Sequence, residues 1–231
     1  MKTEKHPFEP FLPEGARVLF LGSFPPQPHR WCMPFYYPNW INDFWRIMGI
    51  IFFDDKNHFC IPDQKRFDEA SIREFCTRQG LAFYDTACEV RRLKDNASDA
   101  FLEVVTPTDI AALLRQIPSC HTVVTTGQKA TEVMAATFSC DVPAVGGFIR
   151  VEIPDQVGND GKEKVGNDNK ERVGNDGKDK VGNDRKDKVG NDGKGSDGKR
   201  QITFWRMPST SRAYPLPVEK KVEAYKKLFE I

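Results

Sequence analysis

Three short stretches hold the residue types from which a hydrolytic site could be assembled. Asn39 and Asn42 stand in an aromatic-rich segment that runs from Trp31 to Trp45, and a carboxamide can hold a water through its carbonyl oxygen while adding little basicity. Asp85 ends the run Leu81-Ala82-Phe83-Tyr84. A carboxylate there could accept from the N–H of a bound ring or polarise a water, whereas donating to a ring oxygen would require its protonated form. Met207-Pro208-Ser209-Thr210-Ser211-Arg212 is the third stretch; small hydroxyl residues and the N–H groups between them can grip phosphates, with a long cationic side chain beyond. Phe24, Tyr37 and Phe44 offer flat faces for stacking, although Phe44 and Trp45 open an apolar helix face and are expected to pack inward. Each group also has a plainer reading. Asn42 could cap a helix, Asp85 could cap the turn after its strand, and Ser209 to Ser211 could be an ordinary turn before Pro215 and Pro217.

The elements around these residues follow from apolar patterning. Arg17 to Leu21 is a short apolar run stopped by Gly22-Ser23-Phe24-Pro25-Pro26, a buried strand delivering a tight loop. Leu81 to Tyr84 is a second strand ending at Asp85, and His121 to Thr126 is a β-branched third that stops at Gly127. Phe148 to Ile153 and Gln201 to Met207 are two more. Helices are expected from Asn42-Asp43 onward, over Lys65 to Gln79 with Gly80 as its stop, over Pro107 to Gln116 with Pro in its first turn, and over Gln128 to Phe138. The last helix, Val218 to Phe229, puts Val222, Tyr225 and Leu228 on one side and Lys220, Lys221, Lys226 and Lys227 mostly on others, where a charged run is usually a solvated face. Strand, glycine turn and helix in that order imply parallel crossovers, and loops at strand ends are where such sheets bind ligands.

Between the last two strands, about residues 155–200 repeat with a period of eight, VGND recurring at Val157, Val165, Val173, Val181 and Val189. One valine per eight residues builds no core, so a disordered loop is expected there, carried by a hairpin at little entropic cost. Calcium-binding solenoids need paired glycines and a regular apolar position, which this tract lacks. The rest is enough for one α/β domain spanning 1–231 around the insertion. The tract holds 12 Lys/Arg and 11 Asp/Glu of chain totals of 34 and 33, leaving 22 of each, so a nucleic-acid-coating role driven by bulk charge is excluded. Six scattered cysteines with no C-x-x-C pair suggest reduced thiols in the cytoplasm and argue against zinc or iron–sulfur ligation. No apolar run approaches a membrane span.

Taken in order, the segments resemble the uracil-DNA glycosylase superfamily over nearly the whole chain outside the repeats. Gly22-Ser23-Phe24-Pro25, with Tyr36-Tyr37 and Asn42-Asp43-Phe44-Trp45 downstream, is similar to the hypoxanthine-DNA glycosylase branch, whose first motif has the form L-G-S-[FM]-P followed by Y-Y and N-x-F-W. Leu81 to Thr86 stands where members hold a base-reading residue after a strand. Met207 to Arg212 is similar to the closing motif of that branch and of the mismatch-specific thymine/uracil-DNA glycosylases, and Thr126-Gly127-Gln128-Lys129-Ala130 falls in its expected place.

The resemblance implies a three-layer α/β/α sandwich with a central, mainly parallel sheet of about four to five strands. It implies a monomeric base-excision repair enzyme, needing no cofactor and no metal, that acts on DNA containing a deaminated or mismatched base. The base is flipped out and its bond to deoxyribose is hydrolysed by water. Asn42 is the implied catalytic amide, with Asp85 and Asn39 as further catalytic candidates. Gly22, Ser23, Phe24, Tyr37 and Tyr84 would surround the base, and Gly127, Gln128, Pro208, Ser209, Thr210, Ser211 and Arg212 would hold the DNA. Arg212 would clamp a phosphate or fill the gap in the stack, one position away from the intercalating Arg of the thymine-mismatch branch. The departure is Phe24, which stands where several branches hold a catalytic Asp or Asn, and a phenyl ring cannot orient water. No lysine occupies a motif position suited to an imine with the sugar. Two rivals remain: a catalytically weak module that binds damaged DNA, and an N-glycosidase of free nucleosides or nucleotides, which would need no stack-filling residue.

Overall fold

A computed structural model describes residues 2–94, 101–154 and 199–230. Its centre is a five-stranded sheet. The apolar run after Arg17 forms β2 (Val18–Gly22), which pairs in parallel with β5 (Leu81–Asp85) on one side and β8 (Thr122–Thr126) on the other. β8 in turn pairs in parallel with β10 (Lys199–Met207), whose outer neighbour β9 (Gly147–Pro154) is antiparallel. Four consecutive residues of β2 and all five of β5 are buried. A strand can be buried at successive residues only when both sheet faces are covered, and this produces the three-layer α/β/α arrangement.

The helices are α1 (Phe44–Phe53), α2 (Glu69–Gln79), α3 (Ile110–Gln116), α4 (Gln128–Phe138) and α5 (Val218–Lys226). α1 packs against α5, α2 against β5, and α4 against β8. None of the described helices is long and apolar enough to cross a membrane. Aromatic rings fill the core around β2 and β5: Phe20 and Phe83 stack at 5.4 Å, and Trp45 donates its indole N–H to the Tyr36 carbonyl at 3.0 Å.

Several boundaries differ from the sequence expectation for identifiable reasons. α2 starts at Glu69, because Lys65 adopts a left-handed backbone after the 3-10 turn Pro62–Gln64, and Asp68 then caps the helix by accepting from Ser71 N–H. The short pair β3 (Cys60–Ile61) and β4 (Arg66–Phe67) occupies the residues ahead of it. Pro107 does not begin α3; it ends β7 (Leu102–Pro107), and Asp109 caps the helix by accepting from Ala112 N–H. A second, antiparallel sheet of order β1-β6-β7, built from β1 (Thr3–Lys5), β6 (Ala87–Arg92) and β7, was not expected from patterning. Its strands carry charged residues and bury only a small cluster of Ala87, Val90 and Leu102.

The last two residues of the expected loop, Lys199 and Arg200, belong instead to β10, where they pair with Pro154 and Ile153. Arg200 is fixed there by donating to the carbonyls of Leu114 and Cys120. β9 and β10 are thus the antiparallel neighbours that a hairpin carrying an insertion requires, and the repeats at 155–198 lie outside the described residues. All six cysteines are unpaired thiols. The pattern-based placement of Lys221 on an outward side of the last helix is corrected: its side chain is 1% exposed.

Candidate functional site

The four parallel strands end at Gly22, Asp85, Thr126 and Met207, and three of these residues line a single cavity of about 660 Å³. The cavity thus lies at the carboxyl edge of the parallel strands, as ligand sites of open α/β sheets do.

Asp85 sits at the end of β5 with its side chain 10% exposed, and His6 Nε2 lies 2.9 Å from its Oδ2. The other imidazole nitrogen, Nδ1, lies 2.8 Å from the Phe8 carbonyl, so both ring nitrogens are engaged and the ring orientation is set. Gly22 makes room for the second carboxylate oxygen: a Cβ at this position would stand 2.5 Å from Asp85 Oδ1. Thr108 Oγ donates to the Asp85 carbonyl at 2.7 Å and ties the strand end to the chain leading into α3.

On the opposite wall the chain makes a compact turn before α1. Asn39 Oδ1 accepts from Ile41 N–H at 3.1 Å, and Asn39 O accepts from Asn42 N–H at 2.8 Å. Asn42 Oδ1 accepts from Phe44 N–H at 2.9 Å and closes a turn just ahead of the helix, whose N-cap is Asp43 and not Asn42; the bond sets the amide orientation, because only the oxygen can accept there. One lone pair of this oxygen is used by that bond; Asn42 nevertheless lines the cavity. The turn-closing bond and a water-holding role are therefore compatible in one side chain.

Tyr37 has a left-handed backbone (φ 51°), and its ring stacks on Phe44 at 3.9 Å and 5°. Its hydroxyl pairs with Thr126 Oγ at 2.9 Å, and burial raises its pKa far above the usual phenol value. Phe24 is half-buried with its edge toward His6, 5.3 Å between ring centres, and Arg92 lies 5.6 Å from its ring.

The loop after β10 closes the cavity and is held from beneath. Thr210 O accepts from Asp43 N–H at 2.9 Å, and Pro208 O accepts from the buried Tyr225 hydroxyl at 3.0 Å. Lys221 Nζ, fully enclosed, donates to both Asp43 Oδ2 and Ser211 O at 2.9 Å. Arg212 is half-exposed, and its Nε lies 3.4 Å from Asp43 Oδ1. Gly127 begins α4 with its N–H directed to the Met207 carbonyl at 3.3 Å, and Gln128 accepts from Arg206.

Of the sequence-predicted site residues, Asn39, Asn42, Asp85, Gly22, Ser23, Phe24, Tyr37, Gly127, Gln128, Ser209, Thr210, Ser211 and Arg212 all line this cavity. Tyr84 and Pro208 do not. The Tyr84 ring lies 4.6 Å from His6, the same residue that contacts Asp85, with its hydroxyl 3.9 Å from Cys88 Sγ. Pro208 contributes through its carbonyl to the seat of the loop. Sequence reasoning missed His6, Phe8, Arg30, Ile41, Arg92, Asp43 and Lys221. Asp43 and Lys221 lie in segments already singled out, whereas His6 and Phe8 come from an N-terminal stretch with no local signal.

No family profile matches the chain, and no curated protein matches it. Among solved structures, the solution NMR structure of a protein from Methanosarcina acetivorans, proposed to be a uracil DNA glycosylase, is similar over 100% of both chains, with a TM-score of 0.52 and 15% identity. At that identity the likeness shows a shared α/β fold.

Proposed function

We propose that this chain is a monofunctional DNA glycosylase, similar to the uracil-DNA glycosylase superfamily, that hydrolyses the bond between deoxyribose and a flipped deaminated base such as uracil or hypoxanthine. The observation that carries the reading is convergence: an amide from the turn before α1, a carboxylate from β5 and a hydroxyl-rich loop after β10 line the same cavity.

Cleavage of this bond passes through an oxocarbenium-like sugar, so the site must stabilise positive charge, hold a water and tolerate a departing base anion. Asn42 holds the water through the second lone pair of its fixed carbonyl oxygen. Asp85, whose Oδ2 is occupied by His6, presents Oδ1 either to a base N–H or to the sugar charge. The Tyr37 ring, backed by Phe44 on one face, and Phe24 frame the base, and such a stack contributes about 1–3 kcal/mol. Ser209 to Arg212 and the first residues of α4 grip the backbone on either side.

The test uses oligonucleotides carrying a single uracil, hypoxanthine or xanthine, followed by alkaline cleavage of abasic sites. Scission at one or more of these bases is expected, with Asn42→Ala at least ~10²-fold slower. No scission at any base with lesion-selective binding intact would favour the binding module. Activity on free nucleosides, with DNA affinity unchanged by Arg212→Ala, would favour the N-glycosidase. An Asn42→Ala rate within a few-fold of the parent removes that residue from the mechanism.

A further inference from the structure

Five large apolar side chains are exposed among the described residues, and only one of them, Ile41 at 50%, lines the cavity. Its backbone is unusually constrained for an exposed position. Asn39 Oδ1 accepts from the Ile41 N–H, and a single nitrogen of Arg46, Nη1, donates to the carbonyls on both sides of Ile41, Trp40 at 2.7 Å and Asn42 at 2.9 Å. The Arg46 guanidinium also lies over the Trp40 ring at 4.5 Å. An apolar side chain held out at the mouth by a turn clamped from three directions gives up little conformational freedom when it meets a surface. Arg212, which lines the same cavity, has its guanidinium drawn toward Asp43.

We infer that Ile41, not Arg212, is the wedge that enters the base stack of duplex DNA when a nucleotide is extruded, and that Arg46 is the positioning residue that presents it. This rests on the glycosylase reading. A branched aliphatic side chain can occupy the gap left in a stack, and the cost it offsets, unpairing and unstacking, exists in a duplex and is small in a single strand. The wedge therefore acts selectively on duplex substrates, and Arg212 is left to contact phosphate.

Single-turnover excision of one lesion is measured in matched single-stranded and duplex oligonucleotides, with 2-aminopurine beside the lesion to report unstacking on binding. Ile41→Ala is expected to lower the duplex to single-strand rate ratio at least about tenfold and to abolish the 2-aminopurine signal, while Ile41→Leu restores both. Arg46→Met is expected to shift the ratio in the same direction, and Arg212→Ala to weaken binding to both substrates alike. An unchanged ratio and signal in Ile41→Ala, or a parent that excises from single strands alone, overturns the wedge while leaving the glycosylase reading intact. A parent that brightens 2-aminopurine through Ile41 and excises nothing overturns the glycosylase reading instead.

Discussion

Replacing Lys221 by Met keeps the aliphatic stem and removes the charge that joins α5 to the start of α1 and to the loop after β10. In the parent the ammonium is 1% exposed and donates at 2.9 Å to both Asp43 Oδ2 and Ser211 O. The substitution leaves a carboxylate that is itself only 10% exposed, with Arg212 at 3.4 Å as its remaining cation. Removing one partner of a buried pair costs about 3–5 kcal/mol. The lower end applies here, about 3 kcal/mol, because the half-exposed Arg212 still supplies part of the compensation. For a domain of this size that corresponds to a fall in Tm of about 6–12 °C. Urea and thermal unfolding followed by tryptophan fluorescence read the change, since Trp45 is almost completely enclosed. Adding Asp43→Asn to Lys221→Met should recover part of the loss, because the uncompensated charge disappears with it. A single-variant loss below about 1 kcal/mol, or a double variant no better than the single, would refute the view that Lys221 compensates a buried Asp43 carboxylate.

Gly22→Ala places a methyl 2.5 Å from Asp85 Oδ1; the carboxylate must rotate away from His6, and excision should slow by at least about tenfold without a matching loss of DNA affinity, checked by single-turnover rates and binding titrations. His6→Ala removes the donor to Asp85 Oδ2 and should cost about 1–3 kcal/mol of unfolding free energy, measured by urea titration, since the carboxylate is largely enclosed. Burial pushes the Cys120 thiol up from 9.0 to about 11, and burial also raises Cys76. The unfolded chain therefore loses these protons first, and stability should decline as pH rises from about 9 to 11, on the order of 2 kcal/mol for Cys120 alone, read as a falling urea midpoint. The same two thiols should react last with iodoacetamide at pH 8.

The parallel sheet was legible because its strands are apolar runs stopped by residues that signal their ends: Gly22, Asp85 and Gly127. Most of the cavity was legible for the same reason, since residues at the carboxyl ends of adjacent parallel strands must be neighbours. What escaped were features made by pairing across sequence. Lys221 meets Asp43 178 positions away and His6 meets Asp85 79 positions away, and no local pattern marks either partner. Lys221 in particular sits among other lysines, so composition alone sends it outward. The second sheet escaped because β6 and β7 mix Arg and Glu with a few apolar residues, the signature of half-buried strands with weak alternation.

Pro154 and Lys199 are direct partners across β9 and β10, so the two ends between which the octapeptide array is strung are already side by side in the sheet. The number of copies in that array should therefore be changeable while the ladder that orders β10, and through it the loop over the cavity, keeps the same register. Joining 154 to 199 with a two-residue type I′ turn should yield a shorter chain that folds and works alike.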